Sequence, residues 1–183
     1  EAESFKGPAE MELGKIEMRA ADPAKVQSAR ARFQRIIADG SEDSQPLKAQ
    51  AYLNLADLHM RNKEWRDAHA ALDAINKNKE LFVRDRAKRA EATFKLGVVL
   101  DELGDPAGAN QAYTAVLGAY SAYIDWVTQA WERYIPNSLK DIQGMKTDDP
   151  LSTALKRQRE LTLYKLTVKY VYSWQNQDER VAA

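Results

Sequence analysis

The sequence predicts an all-α fold: a right-handed stack of antiparallel helical hairpins with extended capping helices at its C-terminal end. Two observations carry this prediction. Helix-start signals recur along the 183 residues, and a pattern of a small residue followed by a large one returns about every 41 residues. A small residue lets two helices approach closely and a large one fills the space beside it, so this recurrence is typical of stacked hairpins.

Three Asp-Pro pairs mark predicted helix starts, at Asp22-Pro23, Asp105-Pro106 and Asp149-Pro150. The aspartate side chain caps exposed amides of the first turn, and proline at the first helical position lacks an amide that would have no partner there. Gly40 and Gly104 stand where helices are expected to stop, since glycine adopts the left-handed conformation of a helix end without strain.

These signals and the apolar spacing give a series of helices joined by mostly short connections, so we expect consecutive helices to be antiparallel neighbours. A weaker helix is expected after Pro136. The predicted helices cover residues 8–20, 23–39, 46–61, 64–77, 80–103, 106–118, 120–135 and 150–176.

The first three helix pairs are related to one another. In the first helix of each pair a leucine precedes a small residue, with spacings of 42 and 41 residues: Leu13-Gly14, Leu55-Ala56 and Leu96-Gly97. In the second helix a small residue precedes a large one by four positions: Ala29/Phe33, Ala68/Leu72 and Ala109/Tyr113.

With these residues the chain resembles the tetratricopeptide repeat (TPR) family, over segments 9–37, 49–75 and 90–117. The period near 41 is longer than the family's usual one, and a HEAT-like helical repeat is the structural alternative. The resemblance implies three helix pairs in residues 1–119, followed by capping helices in residues 120–183 of the same structural domain.

The resemblance also implies a concave surface lined by the first helix of each pair. The residues expected there mix apolar side chains with scattered charges, which suits an apolar peptide or helix of a partner protein. A Lys/Asn cluster that would clamp a C-terminal carboxylate is missing from these positions. The expected partner-binding residues are Met11, Lys15, Met18, Arg19, Leu53, Asp57, Met60, Arg61, Phe94, Val98 and Asp101.

The function predicted from this resemblance is a non-enzymatic protein-protein interaction module, a scaffold or adaptor that binds its partner through the concave groove. The alternative is a structural subunit of a stable multi-protein or homo-oligomeric assembly that docks through its aromatic C-terminal helices. The candidate interface residues for that alternative are Tyr120, Tyr123, Trp126, Trp131, Tyr170 and Trp174.

The C-terminal region contains two further ambiguous features. Residues 161–174 have high strand propensity but also helical stripes, and we predict a helix because a strand would have no partner in this chain. Arg157, Lys165 and Lys169 lie near one face, which predicts a solvated surface, with contact to an acidic partner or anionic lipid as the alternative.

Composition excludes several functional classes. Lys and Arg number 27 and Asp and Glu number 27, and this balance argues against binding nucleic acid by neutralising phosphates. The chain has no cysteine, which excludes thiolate metal sites, disulfides and cysteine nucleophiles. Its two histidines, His59 and His69, lack a clear third ligand, so no metal, cofactor or catalytic site is predicted.

The sequence begins with Glu1 and carries no targeting or anchoring apolar run at that end. Together with the absence of cysteine, this leads us to expect an exported protein of the bacterial periplasm or cell envelope whose leader has been removed, with the cytoplasm as the alternative. The uncharged run 106–124 is too polar for a membrane span, so the protein is not expected to be membrane-embedded.

Overall fold

A computed structural model describes residues 6–40, 45–78, 81–82 and 85–182, with side chains described except at 45, 46, 170 and 173–182. Within these ranges the chain forms eight α-helices and no strand, which confirms the all-α prediction. The helices are α1 Lys6–Glu17, α2 Pro23–Ala38, α3 Gln45–Arg61, α4 Trp65–Lys77, α5 Arg86–Glu102, α6 Pro106–Ala119, α7 Ile124–Gly144 and α8 Pro150–Ala182.

Each predicted Asp-Pro start begins a helix, because the aspartate side chain accepts hydrogen bonds from first-turn amides. Asp22 accepts from the amide of Ala24 at 2.9 Å, and Asp105 accepts from that of Gly108 at 2.9 Å. Asp149 accepts from two amides, each at 2.9 Å, and from the hydroxyl of Ser152. These bonds favour the ionised carboxylate and lower the pKa of Asp149, with the Ser152 hydroxyl as the largest cause.

Several helix boundaries differ from the prediction. Helix α5 begins at Arg86 rather than at residue 80, because Asp85 caps it by accepting from the amide of Lys88 at 3.0 Å. Helix α7 runs through Pro136 to Gly144 as one element, so the proline removes one donor without ending the helix. Residues 161–174 lie inside α8, which confirms the helix over the strand.

Helices α1 to α6 pack consecutively, each against the next, and α1 also contacts α3. This arrangement agrees with three hairpins, α1–α2, α3–α4 and α5–α6. The chain divides into two compact units, Glu1–Trp131 and Glu132–Ala183, and the division falls inside α7. Among the described helices, none combines the length and the hydropathy that a membrane crossing requires.

The α3–α4 and α5–α6 turns have the same backbone conformation 41 residues apart. Lys63 (φ +59°) and Gly104 (φ +78°) both occupy the left-handed region. Their amides donate to the carbonyl three residues earlier, at 3.1 and 3.0 Å respectively. The next amides, of Glu64 and Asp105, each donate to the carbonyl five residues earlier at 2.9 Å. Two successive hairpins therefore turn in the same way, in agreement with the period found in the sequence.

Glycine permits the closest helix crossings inside the first and third hairpins. A Cβ on Gly14 would lie 2.7 Å from the ring of Phe33, and one on Gly97 would lie 2.8 Å from Cδ1 of Tyr113 and closer still to Cε1. Both rings are fully buried. The small-and-large device predicted from the sequence thus operates between α1 and α2 and again between α5 and α6.

Met11, Leu53 and Phe94 occupy equivalent positions, 42 and 41 residues apart, and all three are buried. Met11 belongs to a buried cluster that includes three apolar residues of α3, and Leu53 to one that includes two of α5. The ring of Phe94 lies 5.7 Å from that of Trp126 in α7. The start of α7 therefore covers the third hairpin at the position where the next hairpin covers the first two.

Candidate functional site

A cavity of about 640 Å³ opens between α1, α3 and α5 in the first unit. We call it the groove. Its volume lies within the range of about 300–1,000 Å³ that is typical of ligand pockets. The side chains that line it are Lys15, Met18, Arg19, Gln50, Asn54, Asp57, Met60, Arg61 and Glu91.

Six of the residues expected on the concave surface line the groove. They come from the C-terminal end of α1 with its following turn and from the second half of α3. The two elements end side by side, since the Arg61 guanidinium donates to the carbonyl of Met18 at 2.6 Å. The six are Lys15, Met18, Arg19, Asp57, Met60 and Arg61.

The other five expected residues lie elsewhere. Met11, Leu53 and Phe94 form the buried layer described above, so their side chains belong to the core. Val98 is half-buried on α5. Asp101 accepts a hydrogen bond from the hydroxyl of Tyr113 at 2.6 Å, which ties α5 to α6.

Three lining residues were missed by the sequence analysis, and a positional signal for them exists. The same face of α3 carries Gln50, Asn54 and Asp57, with four residues from Gln50 to Asn54 and three from Asn54 to Asp57. Glu91 lies 41 residues after Gln50 and is its equivalent on α5. Extending the predicted set by one helical turn toward the N-terminus of each helix would have found Gln50 and Glu91, whereas Asn54 lies within the predicted set, between Leu53 and Asp57.

The acidic side of the groove is internally neutralised. The ammonium of Lys95 lies 2.5 Å from a carboxylate oxygen of Asp57 and 2.5 Å from one of Glu91. The Lys95 side chain is only 14% exposed. One cation therefore holds two carboxylates and joins α3 to α5. A ligand meets less negative charge on this side than its two carboxylates alone would present.

The opposite side carries three cations, Lys15, Arg19 and Arg61. Lys15 pairs with the exposed Glu12 at 2.7 Å, and Arg61 donates to a helix-end carbonyl, as described above. Arg19 is exposed and has no ion-pair partner within the described ranges. Cations at helix C-termini are favoured by the helix dipole, so this basic side is stable without a ligand and still able to bind a carboxylate.

Between the two charged sides lie two methionines and a buried amide. Met18 and Met60 are half-buried and supply flexible apolar surface. Asn54 is 7% exposed; its carbonyl oxygen accepts from Gln50 at 2.9 Å and its amino group donates to the sulfur of Met11 at 3.3 Å. Sulfur is a weak acceptor, so the Asn54 amino group retains the capacity to donate to a ligand.

A second polar cluster lies at the α3–α4 turn. His59, Glu64 and Asp67 each offer a ligand atom within 4.8 Å of the others. Both carboxylate oxygens of Glu64 accept from Arg30, at 2.6 and 2.8 Å, and one also lies 2.5 Å from Nδ1 of His59. A metal ion would have to compete with the guanidinium for the same oxygens, so these contacts favour an ion-pair network that joins α2 to the turn.

This network sets the charge of Glu64. The Arg30 guanidinium lowers the pKa of the Glu64 carboxyl, burial opposes this, and the hydrogen bond with His59 lowers it further. Glu64 is therefore held ionised in the folded chain. Its contacts with Arg30 of α2 and His59 of α3 fix the end of α3, which supplies Met60 and Arg61 to the groove.

The aromatic residues proposed as an alternative interface fall into three groups. Trp126 packs against Phe94, and Trp131 is 4% exposed. Tyr120 and Tyr123 are half-buried with ring centres 6.5 Å apart. The side chains of Tyr170 and Trp174 lie outside the described residues.

No protein-family model matches this sequence, and no curated protein matches it either. The functional inference accordingly rests on the groove, on the repeat spacings and on the surfaces of the described helices.

Proposed function

We propose that this chain is a TPR-like, non-enzymatic binding module that holds a peptide segment of a partner protein in the groove. The observation that carries the proposal is the groove itself: a cavity of about 640 Å³ at the junction of three helices, in which two methionines separate a basic side from a neutralised acidic side. Apolar surface with a few converging polar groups is the usual composition of a ligand site.

The charges of the groove indicate the composition of the segment. Arg19 and Arg61 point to acidic ligand groups, and the pocket between Met18 and Met60 accepts an apolar side chain. The proposed ligand is a peptide with a large apolar residue next to Asp or Glu. Because α1 and α3 are already joined through Arg61, binding orders little of the receptor.

Selection from a library of displayed random peptides against the full chain tests this function. We expect enriched sequences to combine an apolar residue with a neighbouring acid, and their binding is then measured by fluorescence anisotropy with a synthetic peptide. Arg19→Glu should weaken binding about tenfold or more, since it replaces an attraction with a repulsion, and Met60→Ala should also weaken it.

Arg66→Glu is the matched control, because Arg66 is an exposed cation on α4 outside the residues that line the groove. Phe94, although expected in the groove, is unsuitable for this test because its buried ring packs against Trp126. Equal binding by the wild type, Arg19→Glu and Met60→Ala would refute the groove as the binding site. Failure to enrich any peptide would refute peptide binding as the function.

A further inference from the structure

The outer face of α8 carries an exposed apolar seam that lies in the second unit, separate from the groove. Its members are Leu161, Tyr164, Val168 and Val171. Leu161 is 52% exposed, Tyr164 68% and Val171 48%, while Val168 is half-buried. Contiguous exposed apolar side chains along one helix are typical of an interaction site.

The seam is separate from the face that α8 already uses. Leu163 is 8% exposed and lies on a different side of the helix, and Arg159 forms an ion pair with Asp141 of α7. The packing of α8 within its own unit therefore leaves the seam unoccupied by the described side chains.

The spacing of the seam is 3-4-3, which corresponds to positions a, d, a and d of two heptads. At 100° per residue its four members fall within an arc of about 80° and span about 15 Å of helix, and the exposed Tyr172 at the adjoining e position widens the arc to about 100°. A helix lying on a bilayer presents a broader apolar face, whereas so narrow a seam is typical of pairing with another helix.

The charges beside the seam identify the partner helix. Glu160 precedes the first member at position g, and Lys165 follows the second at position e. In two parallel helices in register, position g of one faces position e of the other five residues further along, where opposite charges attract. Glu160 of each copy would then face Lys165 of the other, twice per pair.

We propose that two copies of this chain associate through the α8 seam as a parallel, in-register helix pair. The self-complementary seam gives the apolar contact, and the two Glu160–Lys165 pairs fix its direction. An antiparallel pair would instead bring the Lys165 flank of one helix against the same flank of the other, which is unfavourable. Arg157 and Gln175 stand at the next heptad positions on either side, so the seam is short and the association is weak and concentration-dependent.

Sedimentation equilibrium of the full chain from about 10 to about 500 µM tests the association, because a weak dimer forms across such a range. We expect the mass to rise from 20.7 kDa toward twice that value. Glu160→Lys alone and Lys165→Glu alone should each raise the dissociation constant about tenfold, since two attractions become two repulsions. The double variant should restore wild-type association, because it exchanges the charges without changing their complementarity.

The absence of cysteine from this chain allows a direct test of register. In the proposed pair the two copies of residue 161 are neighbours, so Leu161→Cys should form a disulfide-linked dimer under mild oxidation. Leu151→Cys, at a still more exposed position outside the seam, is the matched control and should cross-link far more slowly. Circular dichroism should show unchanged helix content in every variant, because the substituted side chains are exposed.

A mass that stays at that of the monomer at the highest concentration would overturn the proposal. So would equal cross-linking rates at positions 151 and 161, or a double charge variant that fails to recover. If the chain stays monomeric but floats with phosphatidylglycerol vesicles, and Leu161→Ser abolishes flotation, then the seam binds anionic lipid and the proposed pairing is wrong. Each of these outcomes is independent of peptide binding in the groove.

Discussion

Gly97 offers the sharpest test of the packing inside a hairpin. An alanine there would place its Cβ 2.8 Å from Cδ1 of Tyr113 and closer to Cε1, and Cβ atoms essentially never approach so near. The ring cannot move away freely, because it is fully buried and its hydroxyl donates to Asp101 at 2.6 Å. Gly97→Ala therefore forces α5 and α6 apart or tilts the ring of Tyr113.

The expected magnitude combines opposing terms. Alanine gains about 1 kcal/mol over glycine in helix propensity. Overpacking costs about 1–3 kcal/mol, and a ring tilt that breaks the hydrogen bond to the Asp101 carboxylate costs about 1.5–3 kcal/mol more. We expect a net loss of about 3 kcal/mol in the free energy of unfolding, within a range of about 1.5–5 kcal/mol, which lowers Tm by roughly 6–12 °C for a chain of this size.

Urea unfolding followed by circular dichroism measures this loss, and Gly118→Ala is the matched control. Gly118 also lies in a helix, but a Cβ there would meet nothing within 4 Å, so the same substitution should stabilise the chain by up to about 1 kcal/mol. A Gly97→Ala protein as stable as the wild type, with Gly118→Ala behaving as expected, would refute the close crossing of α5 and α6. In a Tyr113→Leu background the Gly97→Ala change should cost less than in the wild type, since the smaller side chain leaves room for the methyl group and the hydrogen bond to Asp101 is already absent.

The remaining predictions concern the two equivalent turns and the ion pair beside one of them. Gly104→Ala should destabilise the chain by about 1 kcal/mol because of its left-handed φ, although nothing lies within 4 Å of the new methyl group, whereas Lys63→Gly should stabilise it. Thermal melts that give both changes the same sign would contradict this. Glu64→Gln should destabilise the chain at pH 7 by about 1–2 kcal/mol, as it removes a bidentate charge-assisted pair with Arg30. The pKa of Glu64 in the folded chain is lowered from its ordinary value of 4.5, so its contribution to stability is complete above about pH 4.5. That contribution is lost as the pH falls below 4.5 and through the lower pKa of the folded state. The free energies of unfolding of the two proteins, measured in urea, should therefore converge at acid pH. A difference independent of pH would contradict the charge assignment.

Local signals in the sequence determined most helix boundaries correctly. A cap such as Asp22-Pro23 acts through atoms within one helical turn, so it can be identified without knowledge of the tertiary structure. The start of α5 was placed too early because residues 81–82 are apolar and give no stop signal, although the amide bonded to Asp85 marks the true start. Pro136 was taken as a boundary, but it lies within α7.

Six of the eleven residues expected on the concave surface line the groove, and the reason that five do not is geometric. A helix in a stack has one face toward its partner, another toward the next hairpin and a third toward the concave surface, and all three can carry apolar residues. Leu53 and Met60 are both apolar residues of α3, yet only Met60 lines the cavity. Polar residues such as Asn54 and Glu91 distinguish the open face. The signal for this face is therefore the spacing of charged and amide side chains along the helix, and hydrophobicity alone does not provide it.

The position of α1 in the stack has a thermodynamic consequence. Among the described helices α1 packs mainly against α2 and α3, and its attachment includes Arg32 of α2, which bonds to Glu10 and Glu17 at 2.8 and 2.9 Å. Elements with few packed neighbours open at lower free energy than elements packed on several sides. Opening of α1 alone would remove one wall of the groove while leaving the other hairpins closed. Ligand binding in the groove is therefore linked to closure of α1, and a bound peptide would slow amide hydrogen exchange in α1 before any other helix.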